Sequence, residues 1–357
     1  MSISKQLLGK ICNCEIYKYR LENRNGMSVE ITNFGATIVS INVPDKNREV
    51  TDVICGYDSL DTYIEADGYQ GAIIGRVANR INQGRFTLDG IDYNMYINNS
   101  PNHLHGGKVG FDKRIWQVLS MEDSNEPSIK LFLLSKDGEE GYPGNLSVTV
   151  TYKLDTEGAL SIRYEAITDK RTPINLTNHT YFNLGGYNSY NIYDHILWLD
   201  ADTYLPTDET LIPTGEIRSV AGTPFDFRLP KKIGQDIHLH DKDLIIARGY
   251  DHCINFTNGE SKLPKLRAKV IHEESGRVME MYTNQPCVQF YSGNFLTNPK
   301  FPFKNKCSQR KQMAFCLETQ HMPDAVNHPT FTNTILNPGE KYDYTTIYKF
   351  YTKERKS

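Results

Sequence analysis

The chain has 357 residues, 39% of them hydrophobic and 11% aromatic, which is enough to bury a sizeable core and excludes a globally disordered protein. Its formal net charge is −3, and its purely apolar runs are as short as Leu131-Phe132-Leu133-Leu134, so neither a nucleic-acid partner nor a membrane span is expected. The first residues, Met1 to Lys10, lack the apolar stretch of a secretion signal, and the seven cysteines are odd in number and scattered, which reads as reduced thiols of a cytoplasmic protein.

In chain order, the first predicted element is a short helix over Ser59–Ile64. Asp89-Gly90 between Arg85-Phe86-Thr87-Leu88 and Ile91-Asp92-Tyr93 predicts a tight hairpin. Val148, Val150, Tyr152 and Leu154 alternate along one strand, and after Asp155-Thr156-Glu157-Gly158 the run Leu160, Ile162, Tyr164, Ala166 repeats the period of two. A second short helix is expected around Ile233–Leu239, and Ser275-Gly276 predicts another hairpin between Val270–His272 and Val278–Met281. The basic stretch Lys304–Lys311 reads as a solvated loop, and the tail Lys353-Glu354-Arg355-Lys356 as a frayed end. With 22 tyrosines, no linker and no break in composition, the chain is expected to be all-β: one large single-domain β-sandwich over residues 1–357 with a few short helices.

The chemistry is carried by four segments that set polar groups beside Gly or strand residues. They are Gly75-Arg76-Val77-Ala78-Asn79-Arg80-Ile81, Asn102-His103-Leu104-His105-Gly106-Gly107, Asn175-Leu176-Thr177-Asn178-His179-Thr180-Tyr181-Phe182-Asn183-Leu184, and Cys316-Leu317-Glu318-Thr319-Gln320. Imidazole, guanidinium, amide and carboxylate together suit a polyol, whose hydroxyls need donors and acceptors at once. The pairs His103/His105 and His238/His240 would each share a strand face and offer two metal ligands, but Gly106-Gly107-Lys108-Val109-Gly110 supplies no acidic third ligand, so no metal is expected. No P-loop, GxGxxG, CxxC, HExxH or GxSxG pattern is present.

In these segments the chain resembles the aldose 1-epimerase (galactose mutarotase) family. The likeness continues in order through Glu140-Gly141-Tyr142-Pro143-Gly144, Thr223-Pro224-Phe225-Asp226, Gly249-Tyr250-Asp251-His252, Gln289-Phe290-Tyr291-Ser292-Gly293-Asn294-Phe295 and Pro323-Asp324-Ala325-Val326-Asn327, covering about Ile31 to Phe350. The resemblance implies a β-sandwich of the galactose-mutarotase type with an open sugar cleft, a small-molecule aldohexose as partner, no cofactor, and a monomer. It implies Glu318 as general base on the anomeric hydroxyl and His179 as general acid on the ring oxygen. His105 and Arg80 would hold that oxygen region, and Asn79, Tyr181, Asp251 and Gln289 would grip the other hydroxyls. Swapping anomers means taking a proton from O1 while giving one to O5, so that the ring opens, C1 turns, and the steps reverse. A carboxylate and an imidazolium on opposite sides suit this, and their ordinary pKa values of about 4.3 and 6.5 leave a window in which both are charged. The family more often has other residues at Cys253, Cys287, His321-Met322 and around Gln312-Met313-Ala314-Phe315. A hexose-6-phosphate 1-epimerase on the same fold would need a cationic cluster, for which Arg76 or Arg114 are the spare candidates; a non-catalytic sugar-binding protein would not need the acid–base pair.

Overall fold

A computed structural model describes residues 2–353. The strand period read from the sequence appears directly as burial. Leu146–Leu154 and Ala159–Thr168 pair antiparallel from Leu146↔Thr168 to Leu154↔Leu160, with Val148, Val150, Tyr152, Ile162 and Tyr164 turned inward. They belong to a nine-stranded sheet in the order Gln117–Glu122, Ser128–Ser135, Leu146–Leu154, Ala159–Thr168, Tyr342–Thr352, Arg277–Thr283, Lys265–His272, Ile196–Leu199, Lys231–Lys232. A five-stranded meander of Ile3–Ile11, Cys14–Glu22, Ser28–Thr32, Ile38–Pro44 and Val50–Asp52 forms one further sheet. Another runs Arg218–Ser219, Ala201–Tyr204, Asp251–Phe256, Cys287–Tyr291, Cys316–Gln320. One core cluster joins all three, drawing Val29 and Ile41 from the meander, Val150 and Met279 from the large sheet, and Ile254, Phe290 and Leu317 from the other five-stranded sheet. The result is a sandwich with sheets packed face to face.

The expected turns are present. Asp89 and Gly90 both have positive φ, 53° and 76°, as a two-residue hairpin turn requires, and Leu88 pairs with Ile91. His272 pairs with Arg277 across Ser275-Gly276. The first helix forms over Leu60–Glu65, where the Ser59 hydroxyl accepts the N–H of Thr62 at 3.2 Å. The second expectation needs correction: Ile233–Gln235 makes only a 3₁₀ turn, and the helix forms later, over Lys242–Ala247. There Asp241 accepts from the N–H groups of Asp243 and Leu244 at 2.9 and 3.2 Å, and that cap starts the helix. The basic stretch is not wholly solvated either: Lys304 is buried, its ammonium held by Asp52 and by the carbonyls of Val39 and Ile54. Of the tail, Lys353 donates its N–H to Gly276 O at 2.9 Å, and the rest lies outside the described residues.

Candidate active site

The sheet Asp251–Phe256, Cys287–Tyr291, Cys316–Gln320 explains why acids stand in fully buried strands. Its register opposes Asp251 to Tyr291, Cys253 to Gln289, Gln289 to Glu318 and Tyr291 to Cys316. Side chains alternate between faces, so Ile254, Val288, Phe290 and Leu317 enter the core, while Asp251, Gln289, Tyr291, Cys316 and Glu318 share the other face. That outer face floors a cleft of about 710 Å³, whose walls include Tyr69, Asn79, Arg80, His105, His179 and Tyr181.

His179 reaches it by the same alternation. Thr177–Asn178 pairs with Ile73–Ile74, and the ladder continues with the N–H of His179 donating to Ala72 O and that of Gly71 to His179 O, both at 2.9 Å. Asn178 and Phe182 point inward, where the Asn178 amide donates to Tyr164 Oη at 2.9 Å. His179 and Tyr181 point to the cleft, their rings stacked at 4.8 Å, and the Tyr181 hydroxyl donates to Gly68 O at 3.1 Å.

Asn79, Arg80 and His105 come from a two-stranded ribbon in which Leu104 pairs with Arg80. A strand would turn His103 and His105 to one face, but His105 has φ of 51° and leaves it. His103 is consequently structural, with Nδ1 on Tyr96 O at 2.7 Å and Nε2 on the Tyr142 hydroxyl at 2.8 Å, while His105 enters the cleft. The two loops that carry these residues approach closely at Gly106, where a Cβ would stand 1.9 Å from Gly75 O. His238 and His240 are exposed in a turn and join no site.

The N–H of Asn79 donates to His105 Nδ1 at 3.1 Å. His105 is neutral, because burial, then His179 and Arg80, hold its pKa well below the ordinary imidazole value. With Nδ1 accepting, its single proton sits on Nε2, so His105 offers a donor suited to an oxygen. This decides how the cluster of His105, His179 and Glu318 reads, whose ligand atoms lie within 4.8 Å of one another. A metal-binding imidazole donates with its rear nitrogen and turns a lone pair to the ion. His105 does the reverse and presents an N–H donor from Nε2.

Arg80 donates from Nε to Asn99 Oδ1 at 3.0 Å, and the Asn79 side-chain oxygen accepts the N–H of Arg80 at 2.8 Å. Asp251 accepts from Gln289 Nε2 at 2.7 Å. Gln289, opposite Glu318 in the register, thus holds Asp251 with its amide nitrogen, while its amide oxygen has no hydrogen-bond partner among the described residues. Sequence reasoning missed Tyr69, whose ring lies 5.9 Å from that of His179 and 4.6 Å from that of His105, and Asn99, which steadies Arg80. Tyr69 has φ of 60°, a conformation rare for an aromatic residue, and its neighbours Gly68 and Gly71 were the sole sequence signal.

His179 Nε2 stands 3.5 Å from Glu318 Oε1. The imidazole and the carboxylate thus stand side by side in the cleft. Nor do they titrate as exposed groups: burial pushes His179 down to about 4. Burial, then the nearby Asp251, raises Glu318 well above the carboxylate range, against the pull of Arg80. The window expected from ordinary pKa values, in which both groups are charged, is closed.

A model of the family described as aldose 1-epimerase matches residues 17–349. The chain is 48% identical to galactose mutarotase of Homo sapiens over 335 residues, 94% of each protein. It is 39% identical to aldose 1-epimerase of Escherichia coli (strain K12) over 333 residues, 92% of this chain and 94% of that one. This chain belongs to the aldose 1-epimerase family. The solved structure of galactose 1-epimerase from Lactobacillus acidophilus NCFM matches it with a TM-score of 0.86 and 29% identity, covering 98% of both chains. As a member of the aldose 1-epimerase family the protein is an isomerase acting on the anomeric centre of aldoses, and the fold expected from the resemblance is the one observed.

Proposed function

We propose that the protein interconverts the α and β anomers of free aldohexoses, galactose and glucose among them, with Glu318 as general base on O1 and His179 as general acid on O5. The contact of 3.5 Å between His179 Nε2 and Glu318 Oε1 carries this reading. O1 and O5 are bonded to the same carbon, so an acid and a base that serve them together must stand close. Ring opening starts from the charged tautomer of the pair, imidazolium and carboxylate, and ends in the neutral one, imidazole and carboxylic acid. Both pKa shifts favour that direction: a raised Glu318 is a stronger base toward O1–H, and a lowered His179 a stronger acid toward O5. Reclosure on the other face of the aldehyde returns both protons. The balance closes with no cofactor. His105 donates from Nε2 toward the ring oxygen region beside Arg80, and Asp251, Asn79, Tyr181 and Gln289, the last also holding Asp251, take the remaining hydroxyls.

Free sugars fit better than 6-phosphates. Among the residues lining the cleft, Arg80 is the one cation, against the carboxylates Asp67, Glu209, Asp251 and Glu318. Arg76 is buried among the carbonyls of Pro143, Gly144, Ser135 and Lys136, and Arg114 pairs with Glu139, both away from the cleft. Polarimetry on freshly dissolved α-D-galactose and α-D-glucose should show decay faster than in buffer, with little acceleration of the corresponding 6-phosphates. Decay at the buffer rate for both free sugars would sink the reading; a preference for the phosphates would move it to the rival substrate.

The pH profile follows from the pair. Below about 4 a second proton settles on His179 with Glu318 already protonated, and no base remains. Above the raised Glu318 value the pair loses its proton, and no acid remains. Between these limits one proton is available, so kcat should stay nearly level from about 4 up to the raised Glu318 value. A narrow bell between the ordinary carboxylate and imidazole values would show instead that the two titrate separately.

We also read the chain as a single-domain monomer of the cytoplasm. Its continuous core and seven free thiols support this, and no helix among the described residues is long and apolar enough to cross a membrane. Light scattering at a mass near 40.8 kDa checks the assembly state; twice that mass would overturn it.

A further inference from the structure

A general acid based on imidazole works through one nitrogen and needs its other nitrogen held. After His179 gives its proton from Nε2, the neutral ring must keep its remaining proton on Nδ1, so that Nε2 is bare and can take the proton back. A free histidine side chain prefers the opposite tautomer, with the proton on Nε2, so the useful one has to be selected by whatever faces Nδ1. In this site that group is Cys316. Its Sγ lies 3.5 Å from His179 Nδ1, and no other side chain is hydrogen-bonded there among the described residues. The ring's own main-chain carbonyl also draws a proton toward Nδ1, but it already accepts the N–H of Gly71 at 2.9 Å.

The strand that carries the base supplies this partner. Cys316 and Glu318 are two residues apart on Cys316–Gln320 and therefore face the same way. One edge of the His179 ring meets the sulfur and the other meets the carboxylate. The rings of Tyr181 and Tyr69 lie within 26° and 22° of the imidazole plane, which restrains the ring from rotating out of this arrangement. Cys316 is fully buried and stays a thiol, since burial and the neighbouring Glu318 push its pKa well up. A thiol sulfur is a weak, uncharged acceptor. A carboxylate in the same place would stabilise the imidazolium and blunt its acidity toward O5.

We propose that Cys316 is a positioning residue for the isomerisation, accepting the Nδ1 proton of His179 so that Nε2 is the nitrogen that exchanges a proton with the sugar. The proposal rests on His179 being the acid, and its test separates the two. Cys316→Val keeps most of the volume and removes the acceptor; Cys316→Ser restores an acceptor. Imidazole nitrogen-15 chemical shifts of His179 at neutral pH, on the full-length protein, read the tautomer without reference to turnover. In the native protein and in Cys316→Ser, Nδ1 should show the protonated, pyrrole-type shift and Nε2 the pyridine-type shift. In Cys316→Val the two shifts should move toward each other, and kcat should fall about 3- to 10-fold, the worth of one net hydrogen bond, with KM within about 2-fold. Native shifts or native kcat in a folded Cys316→Val variant overturn the proposal, as does a serine variant no better than the valine one. Should Cys316→Val not fold, Cys316→Ala makes the same comparison. The acid assignment fails by a different result, normal turnover in His179→Asn, which leaves the shifts of the Cys316 series as they are.

Discussion

Glu318→Gln should cut kcat by ~10²–10⁴ while sugar affinity stays within a few-fold of native. The amide keeps the shape and one acceptor oxygen but cannot take the O1 proton, so what is lost is an interaction made only in the transition state. Stability should hold or rise. Glu318 is 2% exposed, and among the described residues its Oε2 has no hydrogen-bond partner and no arginine is hydrogen-bonded to it. The substitution therefore removes a buried, poorly satisfied acid and breaks no ion pair beyond the long contact with His179. A glutamate paired to a buried cation would behave in the opposite way, with a collapse of ~3–5 kcal/mol in stability. Melting temperature, affinity and kcat measured on the one variant decide between these. An unstable variant whose folded fraction turns over normally would remove Glu318 from the mechanism and make Asp251, the other carboxylate on that sheet face, the next to test.

His179→Asn should lower kcat by ~10²-fold or more, with a smaller change in KM. Asparagine can still donate a hydrogen bond from its amide, but it cannot deliver a proton to O5. Some stability should also go, because the imidazole stacks on Tyr181 at 4.8 Å and such aromatic contacts contribute ~0.5–1.5 kcal/mol. The activity loss is far larger than that packing loss explains, so kcat per folded molecule is the quantity to compare. Near-native kcat with a raised KM would make His179 a binding residue and transfer the acid role elsewhere.

The parts of the fold that were legible in the sequence are those where a short-range rule acts without competition. The alternation through Val148, Val150, Tyr152 and Leu154 survives because one face of that strand meets the core. The first short helix was expected in the right place, and the Ser59 hydroxyl starts it by serving the third residue onward, whatever the rest of the chain does. The helix over Lys242–Ala247 was missed because one and a half turns show no period, leaving Asp241 as its sole signal. His103 and His105 show the rule failing: one left-handed residue ends the alternation, and the pair divides into a structural histidine and a cleft histidine.

The sequence by itself determined the inventory of the site and its grouping: a carboxylate and a thiol two residues apart on one strand, an imidazole and a phenol two apart on another, and an amide beside a guanidinium, in an order that marks the family. Side-chain chemistry and the two-residue strand period are local properties, so they are written in the chain. Only the tertiary structure decided how far apart these groups stand and which protonation states they hold. Residues 79, 105, 179, 251 and 318 come from separate segments whose distances depend on three sheets closing around one core. The pKa values depend on how completely that closure removes water, and desolvation is a property of the assembled cleft. Burial pushes His179 down and Glu318 up, which closes the window in which the two groups would both be charged.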